Sequence, residues 1–191
     1  MYIPHDFKSL FIKKGKVIFS TPHDLTSNSS DTRYLISQSS TYSSSQEAYM
    51  AMDGYSDSNH CAHTSSGSNS QWWKIQFLEG QSCVKYLTFD TNPNSTYITS
   101  FMGGKLILQG SNNNSVWHDI AELPLTNNVG SYSFELDNKR YFSYYRILND
   151  KNPQNYLVIY ELEFTYTLTS RTIGYIDAIN QTFTFRYELS S

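Results

Sequence analysis

The sequence predicts an all-β protein with a sandwich or barrel architecture, and three observations support this prediction. Aromatic residues make up 16% of its 191 residues, including 16 Tyr, and aromatic side chains favour strands. Apolar and polar residues alternate in short runs such as QWWKIQF at Gln71 to Phe77, which is the pattern of a half-buried strand. Clusters of Asn, Asp, Ser and Pro separate these runs, so the strands should be short and numerous.

The N-terminal residues 1–33 are predicted to form a β-rich arm. Leu10 to Ile12 and Val17 to Phe19 flank Lys13-Lys14-Gly15-Lys16, a pattern that predicts a short hairpin with a glycine-containing turn. A Ser- and Asn-rich linker follows. We expect the main domain to begin at Tyr34.

A series of alternating or apolar runs predicts the strands of the central domain, residues 34–166. In the first of them, Trp73 and Ile75 fall on one strand face and Lys74 falls on the other, as expected for a strand with one buried side. No run in this region convincingly predicts a helix. The predicted strands are Gln71 to Phe77, Val84 to Phe89, Lys105 to Leu108, Tyr144 to Leu148 and Leu157 to Tyr166.

The C-terminal residues 167–191 contain two further alternating runs. Ile173 to Ile179 and Thr182 to Leu189 predict a β-hairpin that turns at Ala178 to Gln181. An isolated hairpin is only marginally stable in water. We therefore expect it to pack on the main domain, to pair with the N-terminal arm or to join another chain.

Charge and composition exclude several partners. The formal net charge is -3, so the chain has no general attraction to nucleic acid or to an anionic membrane. No run approaches the ~20 apolar residues of a membrane helix, and the N-terminus lacks the pattern of a signal peptide. We expect no nucleic-acid partner, no membrane insertion and synthesis without a signal peptide. Cys61 and Cys83 could pair, but two cysteines do not establish a disulfide framework.

The sequence contains no recognisable catalytic motif. It has no GxSxG elbow, HExxH helix or P-loop. His60, Cys61 and His63 lie close together, but their spacing is wrong for a closed zinc site. Glu161 and Glu163 would share one strand face, whereas a glycosidase needs its carboxylates on opposite sides of a cleft. We therefore expect that the protein is not an enzyme.

A resemblance to a known family lies in short segments spread from about Tyr34 to Tyr166. The segments are SSTYSSSQEAYMAMDG around Asp53, QWWKIQF at Gln71 to Phe77, KLILQGSNNNSVW at Lys105 to Trp117, YYRI at Tyr144 to Ile147 and YELEF at Tyr160 to Phe164. In this order the sequence resembles the F5/8 type C (discoidin) family, which includes the family 32 carbohydrate-binding modules. The resemblance implies a jelly-roll β-sandwich like that of galactose-binding domains, here with β-rich extensions at both termini. It also implies a binding module.

The resemblance further implies a structural calcium site. In the family's calcium-binding members, the ion is held by the Asp of an Asp-Gly step, a Thr about one turn later and the first Glu of the late strand. Asp53, Ser58 and Glu161 occupy these positions here, and calcium prefers such oxygen ligands. The alternative is that Asp53 only caps its own turn and Glu161 faces solvent or pairs with a cation. The carbonyl ligands would come from Met50, Tyr55 and Tyr160.

The family's sandwiches bind ligands through loops gathered at one end. We expect these loops to be Ser39 to Gln46, His60 to Ser70, Thr91 to Gly103 and Asn149 to Tyr156. Aromatic faces would hold a sugar ring while amide and imidazole groups bind its hydroxyls. For each aromatic an ordinary packing role is the alternative, and so it is for His60, which takes a core-facing position of the family. The candidate ligand-binding residues are His60, His63, Asn92, Asn94, Tyr97, Phe101, Asn149 and Tyr156.

Two functions follow from these expectations. The first is a non-catalytic, lectin-like module within a viral or phage particle, located on the virion or extracellular surface and attaching to host-surface glycan. The second is a purely structural virion accessory protein whose terminal arms dock to other structural chains, with an oligomeric assembly expected in both cases. An appendage of a glycosidase is a third option. Galactose-binding members carry an Arg after the strand Val84 to Phe89, where Asp90-Thr91-Asn92 stands here, so galactose specificity is not implied.

Overall fold

The structure, a computed structural model, is an antiparallel β-sandwich. It describes residues 11–13, 16–57, 60–65, 70–90, 105–125, 130–149, 156–168, 171–177 and 182–188. Within these residues the helical element is a 3₁₀ helix at Ala48–Met52, and the remaining elements are strands. The strands are β1 Phe11–Lys13, β2 Lys16–Ser20, β3 Tyr34–Gln38, β4 Ala62–His63, β5 Gln71–Phe77, β6 Ser82–Asp90, β7 Lys105–Ser111, β8 His118–Pro124, β9 Ser131–Glu135, β10 Tyr144–Asn149, β11 Val158–Ile159, β12 Glu161–Leu168, β13 Arg171–Asp177 and β14 Thr182–Glu188.

Two five-stranded sheets face each other. The first sheet has the strand order β1-β2-β12-β6-β9, and the second has the order β3-β5-β10-β7-β8. Strands distant in sequence are neighbours in both sheets, as in jelly-roll folds. The predicted all-β jelly-roll sandwich is thus confirmed.

The core lies between the inner faces of the two sheets. Along β5, Trp73, Ile75 and Phe77 are buried while the intervening side chains are half-buried, which confirms the predicted alternation. Trp73 stacks on Phe164 of β12, with ring centroids 6.0 Å apart. Its indole N–H donates to the Ala48 carbonyl at 2.8 Å. The indole therefore joins both sheets and the 3₁₀ helix without leaving a buried donor unsatisfied.

A buried tyrosine makes one of the polar connections between the sheets. The Tyr145 hydroxyl on β10 donates to the Ser82 carbonyl on β6 at 2.7 Å. It accepts from the Val84 N–H at 3.2 Å and from the Asn138 amide at 3.3 Å. Burial raises the pKa of Tyr145, so the group stays neutral and its hydrogen bonds are intact at neutral pH.

The central domain differs from the sequence prediction in several details, and it includes the strands β3, β4, β8 and β9, which were not predicted. The single strand expected from Leu157 to Tyr166 is interrupted at Tyr160, because β11 pairs with β4 outside the two large sheets while β12 joins the first sheet. The 3₁₀ helix at Ala48–Met52 was not predicted. Its buried Ala48, Ala51 and Met52 pack into the core.

Both terminal hairpins are present. In the N-terminal hairpin, Lys13 is paired with Lys16, and β2 then extends the first sheet by pairing with β12. In the C-terminal hairpin, β13 and β14 pair only with each other within the described residues. Its predicted turn, Ala178 to Gln181, lies outside the described residues.

Cys61 and Cys83 are buried and form no disulfide, and burial raises the pKa of the Cys61 thiol to about 11. In the part of the chain that the structure describes, no helix has the length and apolar character needed to span a membrane.

Candidate functional site

Aromatic rings from two loops and from the short strand β4 meet at one end of the sandwich. Tyr42 stacks on His63 with ring centroids 4.6 Å apart and an interplanar angle of 8°. Tyr156 meets both rings edge-on, at 6.0 Å from Tyr42 and 5.3 Å from His63. We call these residues the aromatic cluster. The sequence analysis named His63 and Tyr156 as ligand residues but did not name Tyr42.

Strand register explains why these loops meet. Gln38 at the end of β3 pairs with Trp73, and Asn149 at the end of β10 pairs with Gln71 at the start of β5. The segments that follow β3 and β10 and the segment that precedes β5 therefore leave the second sheet at the same edge. This arrangement agrees with the loop end expected from the sequence.

Hydrogen bonds fix the loop before Gln46. The Gln71 side-chain oxygen accepts from the hydroxyls of Ser39 at 2.7 Å and Ser40 at 2.8 Å. The Gln38 amide donates to the Gln46 carbonyl at 3.0 Å. A Ser-rich segment of this kind is held in one conformation because its hydroxyls have fixed partners, and that reduces the entropy lost on binding.

Asn149 and Thr64 position the loop that carries Tyr156. Asn149 is fully buried, and its amide donates to the Tyr156 carbonyl at 3.0 Å. The Leu157 N–H donates to the Thr64 hydroxyl at 2.8 Å, and the Thr64 N–H donates to the Leu157 carbonyl at 3.0 Å. Asn149, a predicted ligand residue, is therefore buried and holds the backbone of Tyr156 in position.

The rings of the cluster differ in exposure. Tyr42 is 58% exposed, whereas His63 is 7% exposed. Burial lowers the pKa of His63 to about 4, so its imidazole is neutral at pH 7. The cluster thus presents a Tyr42 ring supported by a neutral imidazole, a surface suited to the C–H face of a sugar.

A polar cleft of about 510 Å³ adjoins Tyr42. Its walls include Asn28, Gln38, Thr41 and Glu47, and the Glu47 carboxylate accepts from the Asn28 amide at 3.1 Å. The volume lies within the usual range for small-ligand sites. We refer to the aromatic cluster and this cleft together as the loop-end site.

The Asp53-Gly54 turn is joined to the start of β12. The Gly54 N–H donates to Glu161 Oε2 at 3.2 Å, and Asp53 Oδ1 accepts from the Tyr55 N–H at 3.0 Å. Gly54 has φ +82°, and a Cβ at this position would lie 2.4 Å from the His23 carbonyl oxygen. Only glycine fits there. The turn cap that the sequence allowed for Asp53 is present.

Both carboxylates of the expected calcium site have imidazole partners. His23 Nδ1 lies 2.5 Å from Glu161 Oε1, and its Nε2 lies 3.4 Å from Glu163 Oε2. His60 Nδ1 lies 3.0 Å from Asp53 Oδ2. The bond to Glu161 raises the pKa of His23, and the bond to Asp53 raises that of His60. Burial raises the pKa of Glu161, and the His23 bond opposes this effect.

Two of the expected ligands, the carboxylates of Asp53 and Glu161, are of the kind that calcium prefers. Asp53 lies close enough to raise the pKa of Glu161, so these distant residues share one neighbourhood as the resemblance implied. Within the described residues, however, no group of three or more His, Cys, Asp or Glu side chains could hold a metal ion. A calcium ion would therefore need carbonyl oxygens, for which Met50, Tyr55 and Tyr160 are the candidates. Ser58 lies outside the described residues, and calcium stays a prediction.

The remaining predicted ligand residues are divided between two places. His60 belongs to the acidic turn, and its side chain is 38% exposed, so the expectation that it faces the core is wrong. Its ring instead lies 4.5 Å from that of Tyr55.

Tyr42 was missed because a single Tyr in a polar TYSSSQ segment gives no periodic signal. Asn92, Asn94, Tyr97 and Phe101 lie outside the described residues.

No family model and no curated protein matches the sequence, but solved structures match the fold. The family 32 module of Clostridium perfringens NanJ, in complex with galactose, has a TM-score of 0.56 at 18% identity, covering 77% of this chain and 99% of that chain. A mutant lectin binding domain of lectinolysin, complexed with Lewis b, has a TM-score of 0.55 at 18% identity, covering 76% of this chain and 98% of that chain. The chain has the fold of these modules.

A third structure with this fold is a mutant of chitosan-binding module 1 from a chitosanase/glucanase of Paenibacillus sp. IK-5. Its TM-score is 0.52 at 19% identity, covering 69% of this chain and 92% of that chain. The structural neighbours are therefore family 32 carbohydrate-binding modules and lectin domains, in agreement with the resemblance found in the sequence.

Proposed function

We propose that this chain is a non-catalytic, lectin-like module that binds carbohydrate at the loop-end site. The observation that carries the proposal is the exposed Tyr42 ring, stacked on buried His63 beside a polar cleft. Proteins with the same fold are described in complex with galactose or Lewis b, or as chitosan-binding. They support carbohydrate as the class of ligand, and they name different sugars.

Recognition divides into an apolar and a polar contact. The C–H face of a sugar ring packs on Tyr42, while its hydroxyls bond to the amide, hydroxyl and carboxylate groups of the cleft. His63 and Tyr156 hold the Tyr42 ring in place. Binding of this kind is reversible and needs no reacting group.

A glycan array with the full chain, followed by titration of the best ligand, tests the proposal. Truncation of an exposed aromatic anchor removes about 2 kcal/mol of binding free energy, so Tyr42→Ala should weaken the affinity roughly thirtyfold. Tyr86→Ala is the matched control, because Tyr86 is 47% exposed and bonds to Glu135 on the first sheet, away from the loops. The proposal fails if the wild-type protein binds no glycan or if both variants lose affinity equally.

We further propose that the module belongs to a viral or phage particle, on the virion or extracellular surface, and attaches to a host-surface glycan. Its terminal arms would dock to other structural chains of an oligomer. In support, the C-terminal hairpin pairs Ile176 with Phe183 and Gly174 with Phe185, and among the described residues its two strands pair with no other strand. Such a two-stranded sheet is marginal in water unless another surface covers it.

Light scattering tests this part of the proposal. The full chain should form an oligomer, and deletion of residues 169–191, which begins just after β12 ends at Leu168, should convert it to monomers. A wild-type monomer at all concentrations would contradict arm docking. The alternative, a purely structural virion accessory protein, rests on the same hairpin, and an oligomer without affinity for any glycan would favour it.

A further inference from the structure

The outward side of the second sheet carries two adjacent cations. Along β5, Lys74 alternates with buried Trp73 and Ile75, and along β10, Arg146 alternates with buried residues in the same way. Lys74 and Arg146 are direct cross-strand partners. We call this side of the sheet the outer face. None of the rings of the aromatic cluster belongs to the outer face, so it is a different surface from the loop-end site.

Lys74 is held in place from two directions. Its ammonium group lies over the Trp72 ring, 4.8 Å from the centroid, and donates to Asn114 Oδ1 at 3.1 Å. Asn114 adopts φ 59° in the turn between β7 and β8. In the same turn Asn113 Oδ1 accepts from the Val116 N–H at 2.9 Å, which fixes the loop over the sheet.

A second set of contacts holds Arg146. Its guanidinium lies over the Trp117 ring, 4.2 Å from the centroid. The Arg146 Nε donates to Gln109 Oε1 at 2.7 Å, and the Gln109 amide donates to Asp119 Oδ1 at 2.5 Å. The guanidinium is therefore oriented before any ligand arrives, so less entropy is lost when an anion binds.

The two cations oppose each other electrostatically. Like charges directly opposite on neighbouring strands are destabilising. Burial and the charge of Arg146 both lower the pKa of Lys74. Among the described residues, no carboxylate forms a salt bridge with Lys74. An anion placed between Lys74 and Arg146 would relieve the repulsion.

We propose that the outer face is a second binding site, which takes the carboxylate or sulfate groups of an acidic polysaccharide. A guanidinium binds such planar or trigonal anions through a fork of N–H donors, and the ammonium adds a point charge. The half-buried rings of Trp72, Trp117 and Tyr144 provide amphipathic surface for the sugar rings between charged groups.

Charge spacing favours a polysaccharide over a nucleic acid. Duplex DNA carries one charge per ~1.7 Å and is bound by proteins that neutralise many phosphates. Here a single pair of cations lies on the two strands β5 and β10 of a chain with net charge -3. Such a pair suits charged groups that are separated by uncharged ring atoms.

Affinity electrophoresis of the full chain tests the proposal. The probes are polygalacturonate as the carboxylate source, dextran sulfate as the sulfate source and dextran as the uncharged control. Lys74→Gln should weaken binding to one or both acidic polymers about tenfold, as expected for the loss of one charge-assisted contact. Lys139→Gln is the matched control, because its side chain is 80% exposed and pairs with Asp137, and it should leave the affinity nearly unchanged.

A conservative variant separates charge from folding. Lys74→Arg keeps the positive charge, so it should retain the affinity that Lys74→Gln loses, with both variants melting near the wild-type temperature. Added NaCl should weaken binding of the wild-type protein. The proposal is overturned if the acidic polymers do not bind at low salt, if dextran binds equally well, or if Lys139→Gln loses as much affinity. Equal or tighter binding of single-stranded DNA would also overturn it.

Discussion

Acid should destabilise the protein through His63, the buried imidazole of the aromatic cluster. Burial lowers its pKa from 6.5 to about 4. In the unfolded chain the imidazole takes up a proton near pH 6.5, whereas in the folded protein it does so only near pH 4. The stability that comes from a neutral His63 is therefore complete above about pH 6.5 and is lost as the pH falls towards 4.

The size of this effect follows from the two pKa values. Their difference of about 2.5 pH units corresponds to about 3 kcal/mol of unfolding free energy at 1.36 kcal/mol per unit. At pH 5 most of the unfolded chains have a protonated His63 and most of the folded molecules do not. The loss at pH 5 relative to pH 8 is then about 2 kcal/mol.

Urea unfolding of the wild-type protein and of His63→Phe, measured between pH 4 and 8, tests this prediction. The variant keeps a ring between Tyr42 and Tyr156 but has no group to protonate. Its unfolding free energy should fall less than that of the wild-type protein by about 2 kcal/mol at pH 5. The raised pKa values of His23 and His60 act in the opposite direction, and they cancel in the difference. Parallel pH curves for the two proteins would refute the reasoning.

Three other perturbations have expected outcomes. Tyr145→Phe removes the hydroxyl that accepts from the Val84 N–H at 3.2 Å and donates to the Ser82 carbonyl at 2.7 Å, although that carbonyl keeps the Phe142 N–H at 2.8 Å. The unfolding free energy in urea should fall by about 1–3 kcal/mol; an unchanged midpoint would contradict the role given to this hydroxyl. Gly110→Ala places a Cβ 2.3 Å from the Phe142 ring and should lower the free energy of unfolding, measured by thermal denaturation, by about 1–3 kcal/mol; an unchanged melting temperature would contradict this prediction. Calcium should raise the melting temperature, excess chelator should lower it and Asp53→Ala should abolish both responses, whereas identical curves with and without calcium would contradict the predicted site.

The sequence predicted those parts of the fold that local periodicity records. The alternation in β5 reports one buried face, and the Lys13–Lys16 hairpin follows from a glycine between apolar runs; the structure confirms both. The break at Tyr160 could not be predicted in this way. It arises because β11 pairs with β4 and β12 pairs with β6, and these pairings depend on distant parts of the chain.

The candidate site was predictable to a smaller extent, for the same reason. The approach of Asp53 to Glu161 came from the family resemblance, because nothing local to either residue indicates the other. The His23 partner of Glu161 lies 138 residues away in the sequence, within a segment that the sequence analysis assigned to an arm. Tyr42 becomes a site residue only when β3 and β5 bring its loop to His63.

The loop-end site is assembled by contacts that do not require a ligand. Tyr42 is fixed by its N–H bond to the His63 carbonyl at 2.9 Å and by stacking on the His63 ring, and Asn149 holds Tyr156 from below. Binding should therefore depend on the exposed ring itself more than on ordering of the loop. Tyr42→Phe keeps the ring and removes only the hydroxyl, so it should retain most of the glycan affinity that Tyr42→Ala loses. If Tyr42→Phe were as weak as Tyr42→Ala in the same titration, the hydroxyl and not the ring face would be the group that binds the sugar.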